Sequence, residues 1–202
     1  EDDFFDPSLI IENFFSGYVI LGKIKRAVIS YNDIHLECGI RKSKLNNVVI
    51  GDDCAIHNVA YLDNYHIGNR VILFNVDEIC CTNHSKFGNG ILKKGESEDK
   101  RVWIGAGNEN DGRSVLAFES MIPSDAYIWS HYRDDNELLT RFVELTEYGN
   151  SGELNTYGII EDDVVIKNTS IVKDSKIGTC AYIKGAFKLK NFTMLSSKEE
   201  PS

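Results

Sequence analysis

The chain is poor in the features that mark several large classes of protein. Its 202 residues include only three prolines, and no apolar run approaches the roughly 20 residues that a membrane span needs. No signal-peptide pattern opens the chain. Basic residues are also scarce, since the net charge is −9, whereas a nucleic-acid backbone requires a concentrated basic surface. We therefore expect no nucleic acid and no membrane as partner, and we expect a cytoplasmic location.

The five cysteines lack the pattern of a disulfide framework. Their number is odd, and none of them belongs to a Cys-x-x-Cys pair. This usage is typical of reduced thiols in the cytosol. The first residue is Glu rather than Met, and the last residues closely follow a strand-like run. We expect a fragment of a longer protein.

A period of six residues is present in two separate segments of the chain. Ile50-Gly51 recurs as Ile67-Gly68 after 17 residues, and Ile160 recurs as Ile177 after the same interval. Position one of each hexad is a large aliphatic residue, position five is mostly small or β-branched, and every third hexad is one residue short. Ile34 and Ile40 fit the count backwards from Ile50. Aliphatic residues at this spacing point into a narrow core, and stacked units bury one another's apolar side chains.

This period predicts an all-β solenoid, a left-handed parallel β-helix of hexapeptide repeats with about five or six coils. The first coils are expected in residues 1–92 and the remaining coils in residues 158–195, followed by a tail at 196–202. Residues 93–157 break the count. They are expected to form an insertion that holds a hairpin and one or two helices.

The insertion contains local signals for its own elements. Asn110-Asp111-Gly112 lies between two strand-like runs and predicts a hairpin turn. Pro123 suits the first turn of a helix, and Asp134 with Glu137 makes a capping-box pattern before an amphipathic run. Insertions in repeat proteins often build binding sites, although covering an apolar patch or an oligomer contact is the simpler role for this helix.

His84 is the candidate catalytic residue, because it lies in a polar stretch where the hexad count slips. A histidine with a pKa near neutrality can take a proton from a hydroxyl or amine that attacks a thioester. Backbone N–H groups would stabilise the oxyanion. A solvated loop histidine without a catalytic role is the alternative.

The turn "GNENDGR" supplies the candidate substrate-binding residues. Asn108, Glu109, Asp111 and Arg113 lie within one tight loop, where they could bind a sugar or a phosphate group, with Arg113 as a planar fork. A polar hairpin turn without a ligand is the alternative interpretation.

No metal site is predicted. His57, His66 and His84 are the only conceivable histidine set, and it lacks a closely spaced pair of ligands. Adding Cys80 or Cys81 gives a Cys-Cys-x-x-His string that is possible for zinc. The two cysteines are adjacent, however, and in a strand they would face opposite sides.

Several longer motifs carry a family resemblance. They are "FFSGYVILG", "NVVIGDDCAIHNV", "NYHIGNRVILFNV", "FGNG", "NENDGR" and "SDAYIWSHYR". On these motifs, which cover most of the chain, the sequence resembles the N-terminal part of a long, uncharacterised bacterial hexapeptide-repeat family of unknown function. The resemblance implies that more β-helical sequence follows, and it implies no established activity or catalytic residue. The family pattern has no obligatory histidine at "TNHSKFGNG".

Two functions are therefore considered. The first is a hexapeptide-repeat transferase that passes an acyl group from a coenzyme A thioester to a sugar or nucleotide-sugar, with His84 as base. Its sites would lie between the subunits of a homo-oligomer, with a trimer favoured. The second is a non-catalytic scaffold, or a regulatory or oligomerisation module of a larger nucleotide-sugar enzyme.

Overall fold

The computed structural model describes residues 6–82, 85, 90–106, 112–118, 121–148 and 157–202. The chain divides into two compact units, of which the first comprises Glu1–Ser85 with Asn155–Ser202 and the second comprises Lys86–Leu154. The strands and helices are, in chain order, β1 (Ile10–Ile11), β2 (Phe14–Leu21), β3 (Val28–Tyr31), β4 (Ile34–Glu37), β5 (Gly39–Arg41), β6 (Lys44–Ile50), β7 (Ala55–Ile67), β8 (Ile72–Cys80), β9 (Trp103–Gly105), β10 (Ser114–Leu116), α1 (Pro123–His131), α2 (Asn136–Glu147), β11 (Gly158–Ile160), β12 (Val165–Ile177), β13 (Tyr182–Lys184) and β14 (Lys188–Met194). Short 3-10 helices lie at Pro7–Leu9 and Glu98–Lys100.

The strands of the large sheet pair in the register of the sequence repeat. Ile50 lies opposite Ile67, Ile67 opposite Ile160, and Ile160 opposite Ile177, always in parallel. All four side chains are buried. The interval from Ile67 to Ile160 is 93 residues, so these neighbouring strands are distant in the chain.

Four of the strands close into a parallel barrel. β7 pairs with β8, β8 with β12, β12 with β11, and β11 with β7, while β1, β2, β5, β6, β13 and β14 add to the same sheet. The layout is mixed, because the chain also has two antiparallel strand pairs, β3 with β4 and β9 with β10, and two helices. The prediction of a left-handed parallel β-helix solenoid is therefore wrong. The hexads specify which residues face inward and the pairing register. They do not specify that β7 and β12 are long enough to pair with several partners each and so close a ring.

The inner face of the large sheet is filled by the aliphatic residues of the repeat. Leu45, Leu62, Ile79 and Val172 lie side by side on successive strands, and each is fully buried. Side chains of a strand alternate between its two faces, so the residues between them point outward. The core thus consists of rows of inward side chains, and each row runs across neighbouring strands at one position of the repeat.

The bends of the long strands use left-handed residues. Asn58, Asn75 and Asn168 have φ values of 56°, 54° and 49°. They stack and bond to each other, since Asn58 Nδ2 donates to Asn75 Oδ1 at 2.8 Å and Asn75 Nδ2 donates to Asn168 Oδ1 at 2.9 Å. Asparagine tolerates this backbone region better than most residues, which accounts for its recurrence in the hexads.

The backward hexad count predicted that Ile34 continues the repeat, and the structure shows that it does not. It lies in β4, which pairs antiparallel with β3 through the turn at Asn32 and Asp33. Ile40 does lie in the parallel sheet, opposite Ile56. The alternation of apolar residues in β3 and β4 suits a hairpin, so one aliphatic residue at a hexad spacing was insufficient to identify the parallel sheet.

The second unit has a small core of its own. Val115, Leu116, Trp129 and Phe142 are buried together, and the rings of Trp129 and Phe142 stack with centroids 4.8 Å apart. Pro123 is the first residue of α1. The N-cap of α2 is Asp135, whose side chain accepts a hydrogen bond from the Leu138 N–H, and not Asp134 as the capping-box pattern predicted.

Candidate functional site

The residues that the sequence singled out are not brought together by the described structure. His84, Asn108, Glu109 and Asp111 lie outside the described residues. Arg113 is exposed just before β10, and its carbonyl accepts a hydrogen bond from the Ala106 N–H at 2.7 Å. The predicted substrate loop therefore contributes one described side chain, on the exposed end of a hairpin.

The histidines and cysteines considered for metal binding have structural surroundings. His66 is exposed and meets the Tyr157 ring edge-on at 4.6 Å, whereas Cys80 and Cys81 are buried. Burial raises the pKa of the Cys80 thiol to about 12 and that of Cys81 to about 11. Among the described residues, no group of three His, Cys, Asp or Glu side chains could hold a metal ion.

A different constellation lies beneath the β3–β4 hairpin, residues 28–37, which we call the strap. Ile34 of the strap is buried against Ile72 and Val165 on the outer side of the large sheet. Ile29, Tyr31, Leu36, Phe74 and Tyr182 pack around these three residues. Burial of this apolar surface holds the strap on the sheet.

A row of basic side chains runs across the sheet at the strap. Arg41 lies opposite His57, His57 opposite Phe74, Phe74 opposite Lys167, and Lys167 opposite Lys184. We call Arg41, His57, Lys167 and Lys184 the basic row. Residues that lie opposite each other on parallel strands share a face and are about 4.8 Å apart.

Lys167 is the most enclosed cation of the basic row. It is 4% exposed, its Nζ donates to Asp33 Oδ1 of the strap at 2.6 Å, and it lies 5.7 Å from the centre of the Tyr182 ring. The Tyr31 ring packs on Tyr182 with centroids 5.1 Å apart. The hydrogen bond to Asp33 raises the pKa of Lys167, and the same bond lowers the pKa of Asp33.

The other end of the row contains two buried nitrogens without a protein acceptor. Arg41 Nη2 donates to the Glu37 carboxylate at the end of the strap. Arg41 Nε and His57 Nε2 are buried, and neither forms a hydrogen bond within the described structure. Buried polar groups are nearly always paired, so Arg41 Nε and His57 Nε2 are exceptions within the described structure.

The pKa of His57 is lowered from its ordinary value of 6.5, first by burial and then by the positive charge of Arg41. Glu37 acts in the opposite direction. The folded protein therefore binds the His57 proton less readily than the unfolded chain. Because His57 has the lower pKa when folded, its contribution to stability is complete above pH 6.5 and is lost as the pH falls below that value.

We expect His57→Gln to remove this loss. Urea unfolding at pH 5, 6, 7 and 8 should show a shallower fall of the unfolding free energy in the variant than in the parent below about pH 6.5. Parallel curves for the two proteins would show that His57 titrates alike in the folded and unfolded states.

The basic row was invisible to sequence reasoning. Its members come from β5, β7, β12 and β13, and long intervals of chain separate them. The Asn32-Asp33 dipeptide between two alternating runs was an available hairpin signal. The repeat does not show that β12 pairs with β8 across 93 residues, so nothing connected that hairpin to Lys167.

The described strands form a closed parallel barrel, and the basic row lies on this sheet beneath the strap. Comparison with known sequences places the chain in a family. Residues 2–202 match the profile of a domain of unknown function, DUF4954, and the chain belongs to that family. It is 44% identical over 200 residues to an uncharacterised protein of Treponema pallidum (strain Nichols).

That alignment covers 99% of this chain and 28% of the relative, so the chain spans about a quarter of the relative's length. No solved structure matches the chain. The family description assigns no activity, and the strands form a barrel with a mixed layout. The classification as a hexapeptide-repeat, left-handed β-helical transferase is therefore wrong for the fold and unsupported for the activity.

The described helices are short. Neither α1 nor α2 is long and apolar enough to cross a membrane.

Proposed function

We propose that this chain is a non-catalytic binding module of a longer protein, and that the basic row beneath the strap binds a phosphorylated small molecule. The observation that carries the proposal is a pair of buried nitrogens on neighbouring strands, Arg41 Nε and His57 Nε2, which lack an acceptor among the described residues and which a ligand would reach by displacing the strap. Phosphate oxygens are strong acceptors, and arginine binds them with a geometry that lysine cannot provide.

The spacing of the row suits a ligand with more than one anionic group. Three strand intervals separate His57 from Lys184, which corresponds to about 14 Å. The cation Arg41 lies one strand beyond His57, the cation Lys184 lies at the other end, and Lys167 lies between them. Phe74, Tyr31 and Tyr182 provide aromatic surface beside the cations. A nucleotide combines such charges with a planar ring, so nucleotides are the preferred class.

The strap supplies internal competitors for this ligand. Asp33 accepts from Lys167, and Glu37 accepts from Arg41. Both carboxylates occupy acceptor positions that phosphate oxygens would take. Asp33 is largely exposed, with 72% of its side chain accessible, so it can leave Lys167 without losing a buried environment. Binding would exchange strap carboxylates for ligand phosphates.

Isothermal titration calorimetry with ADP, pyrophosphate and adenosine tests the proposal. We expect ADP to bind with a Kd tighter than about 1 mM, pyrophosphate more weakly, and adenosine not measurably. Lys167→Met should weaken ADP binding at least about tenfold, because a buried charge-assisted contact is lost. Asp33→Asn should strengthen binding, because it removes a competitor.

Lys188→Met is the matched control, since Lys188 is an exposed lysine of β14 outside the basic row. It should bind ADP like the parent. Absence of binding for both ADP and pyrophosphate, or equal affinities of the parent and Lys167→Met, would contradict the proposal.

A further inference from the structure

Among the described residues, four strands of the large sheet have a single partner, namely β1, β2, β13 and β14, and the two longest of them, β2 and β14, differ in charge. Within the described residues, β2 pairs only with β6, and β14 pairs only with β12. The β14 edge contains Lys188 and Lys190, both exposed. Lysines at an edge discourage pairing with another strand. The β2 edge, "FFSGYVIL", has no charged residue and no proline.

The uncharged edge also exposes large apolar side chains. Phe14 is 60% exposed, Tyr18 63% and Ile20 43%. Phe15 lies opposite the fully buried Leu45 and so faces the barrel axis, yet it is 38% exposed. Its exposure shows that no described residue fully covers the interior at this end. A long, apolar, uncharged edge strand is a template for strand addition.

We infer that β2 is the self-association surface of this protein, and that its occupant is the β2 strand of a second copy, related by a two-fold axis. Pairing about a two-fold axis makes the strands antiparallel and brings identical patches together. Side chains directly opposite in such a pair share a face. If the inward residues of one copy lie opposite the inward residues of the other, Phe15 lies opposite Leu21 of the copy. Tyr18 then lies on the two-fold axis.

Charge supports a second copy as the occupant. Although the chain carries a net charge of −9, β2 itself is neutral, so two copies can approach there without like charges facing each other. Glu12 precedes the strand and the basic residues Lys23, Lys25 and Arg26 follow it, and exposed ion pairs within the chain join Glu12 to Lys42, Lys25 to Asp53 and Arg26 to Asp6. The antiparallel arrangement brings the acidic start of each strand toward the basic end of the other.

The bend in β2 is compatible with this arrangement. The strand changes register between Ser16 and Val19, where Gly17 has a φ of 64°. A two-fold axis through Tyr18 superimposes this bend on the bend of the copy. The part of β2 before the bend in one copy then pairs with the part after the bend in the other copy. The inward residues of the two copies cover each other's interior at this end.

Sedimentation velocity over a range of concentrations tests the inference with variants at Tyr18. We expect the parent to sediment as a dimer, at twice the chain mass of 22.8 kDa. Tyr18→Lys places two like charges at the axis and should raise the dimer Kd at least about tenfold. Tyr18→Cys should form an intermolecular disulfide under mild oxidation, because the two thiols meet on the axis.

Phe187→Lys and Phe187→Cys are the matched controls, because Phe187 is an aromatic residue 81% exposed outside β2. They should dimerise like the parent, and Phe187→Cys should not form the cross-link. Circular dichroism checks that each variant keeps its fold. The inference would be overturned if the parent were a monomer at about 100 µM or formed a trimer. It would also be overturned if Tyr18→Lys dimerised like the parent.

Discussion

Gly158→Ala is expected to destabilise the barrel by more than about 3 kcal/mol, which corresponds to a fall in Tm of roughly 10 °C. Gly158 of β11 lies opposite Tyr65 of β7. A Cβ at residue 158 would lie 2.2 Å from Cζ of the Tyr65 ring and 2.3 Å from Cε1. Such distances are far inside van der Waals contact, so either the ring or the strand must move.

The Tyr65 ring has little freedom to move. It is fully buried, its hydroxyl lies 2.8 Å from Ser175 Oγ, and the Ser175 N–H donates to the same oxygen at 3.2 Å. Displacing the ring would break these bonds and leave buried polar groups unpaired, which costs about 1–3 kcal/mol. The steric cost and the hydrogen-bond cost therefore act together.

Thermal unfolding of five proteins measures this effect: the parent, Gly158→Ala, Tyr65→Leu, the double variant and a control. Gly158→Ala should unfold well below the parent, and adding Tyr65→Leu should recover part of the loss, with a coupling of at least about 1 kcal/mol. Gly105→Ala is the control, because no atom lies within 4 Å of its added Cβ, and its effect should stay within about 0.5 kcal/mol. An unchanged Tm for Gly158→Ala would contradict the close packing of β11 on Tyr65.

Leu62→Ala is expected to cost about 2–5 kcal/mol. Leu62 is fully buried in the middle of an inward row, between Leu45 and Ile79 on the neighbouring strands. Truncation removes apolar contacts on both sides and leaves a cavity, because paired strands cannot move together to fill it. Urea unfolding at neutral pH gives the free-energy difference directly.

Phe187→Ala is the control for this truncation. It removes more apolar atoms than Leu62→Ala, but from a side chain that is 81% exposed. The expected change is within about 0.5 kcal/mol. Equal losses for the two variants would show that the inward row does not form the core.

The repeat predicted the part of the structure that local spacing controls. Position one of the hexads identified Ile50, Ile67, Ile160 and Ile177 as inward residues, and all four are buried. Spacing has this power because side chains alternate along a strand and like positions stack on neighbouring strands.

The closed barrel was not predictable by the same argument. Its closure depends on β11 pairing with both β7 and β12, and no sequence period reports which strands meet across 93 residues. A period of six residues is also that of the left-handed parallel β-helix, and this shared period accounts for the wrong prediction. The spacing was compatible with that architecture without requiring it.

The candidate site shows a similar division. His84 and the turn around Arg113 were selected by residue type and polarity, which are local properties. The basic row depends instead on the register that places Arg41 beside His57 and Lys167 beside Lys184. The strap was missed because Ile34 satisfies both a hexad count and the alternation of a hairpin. Only pairing partners distinguish the two.

The long interval between β8 and its partner β12 has a consequence for synthesis on the ribosome. Ile72 pairs with Val165, so β8 emerges well before the strand that covers its second edge. During that interval the nascent chain carries an open parallel edge, which is a site for aggregation. Ring closure therefore follows the synthesis of β12, and chaperone protection is most valuable while the residues between these strands are being translated.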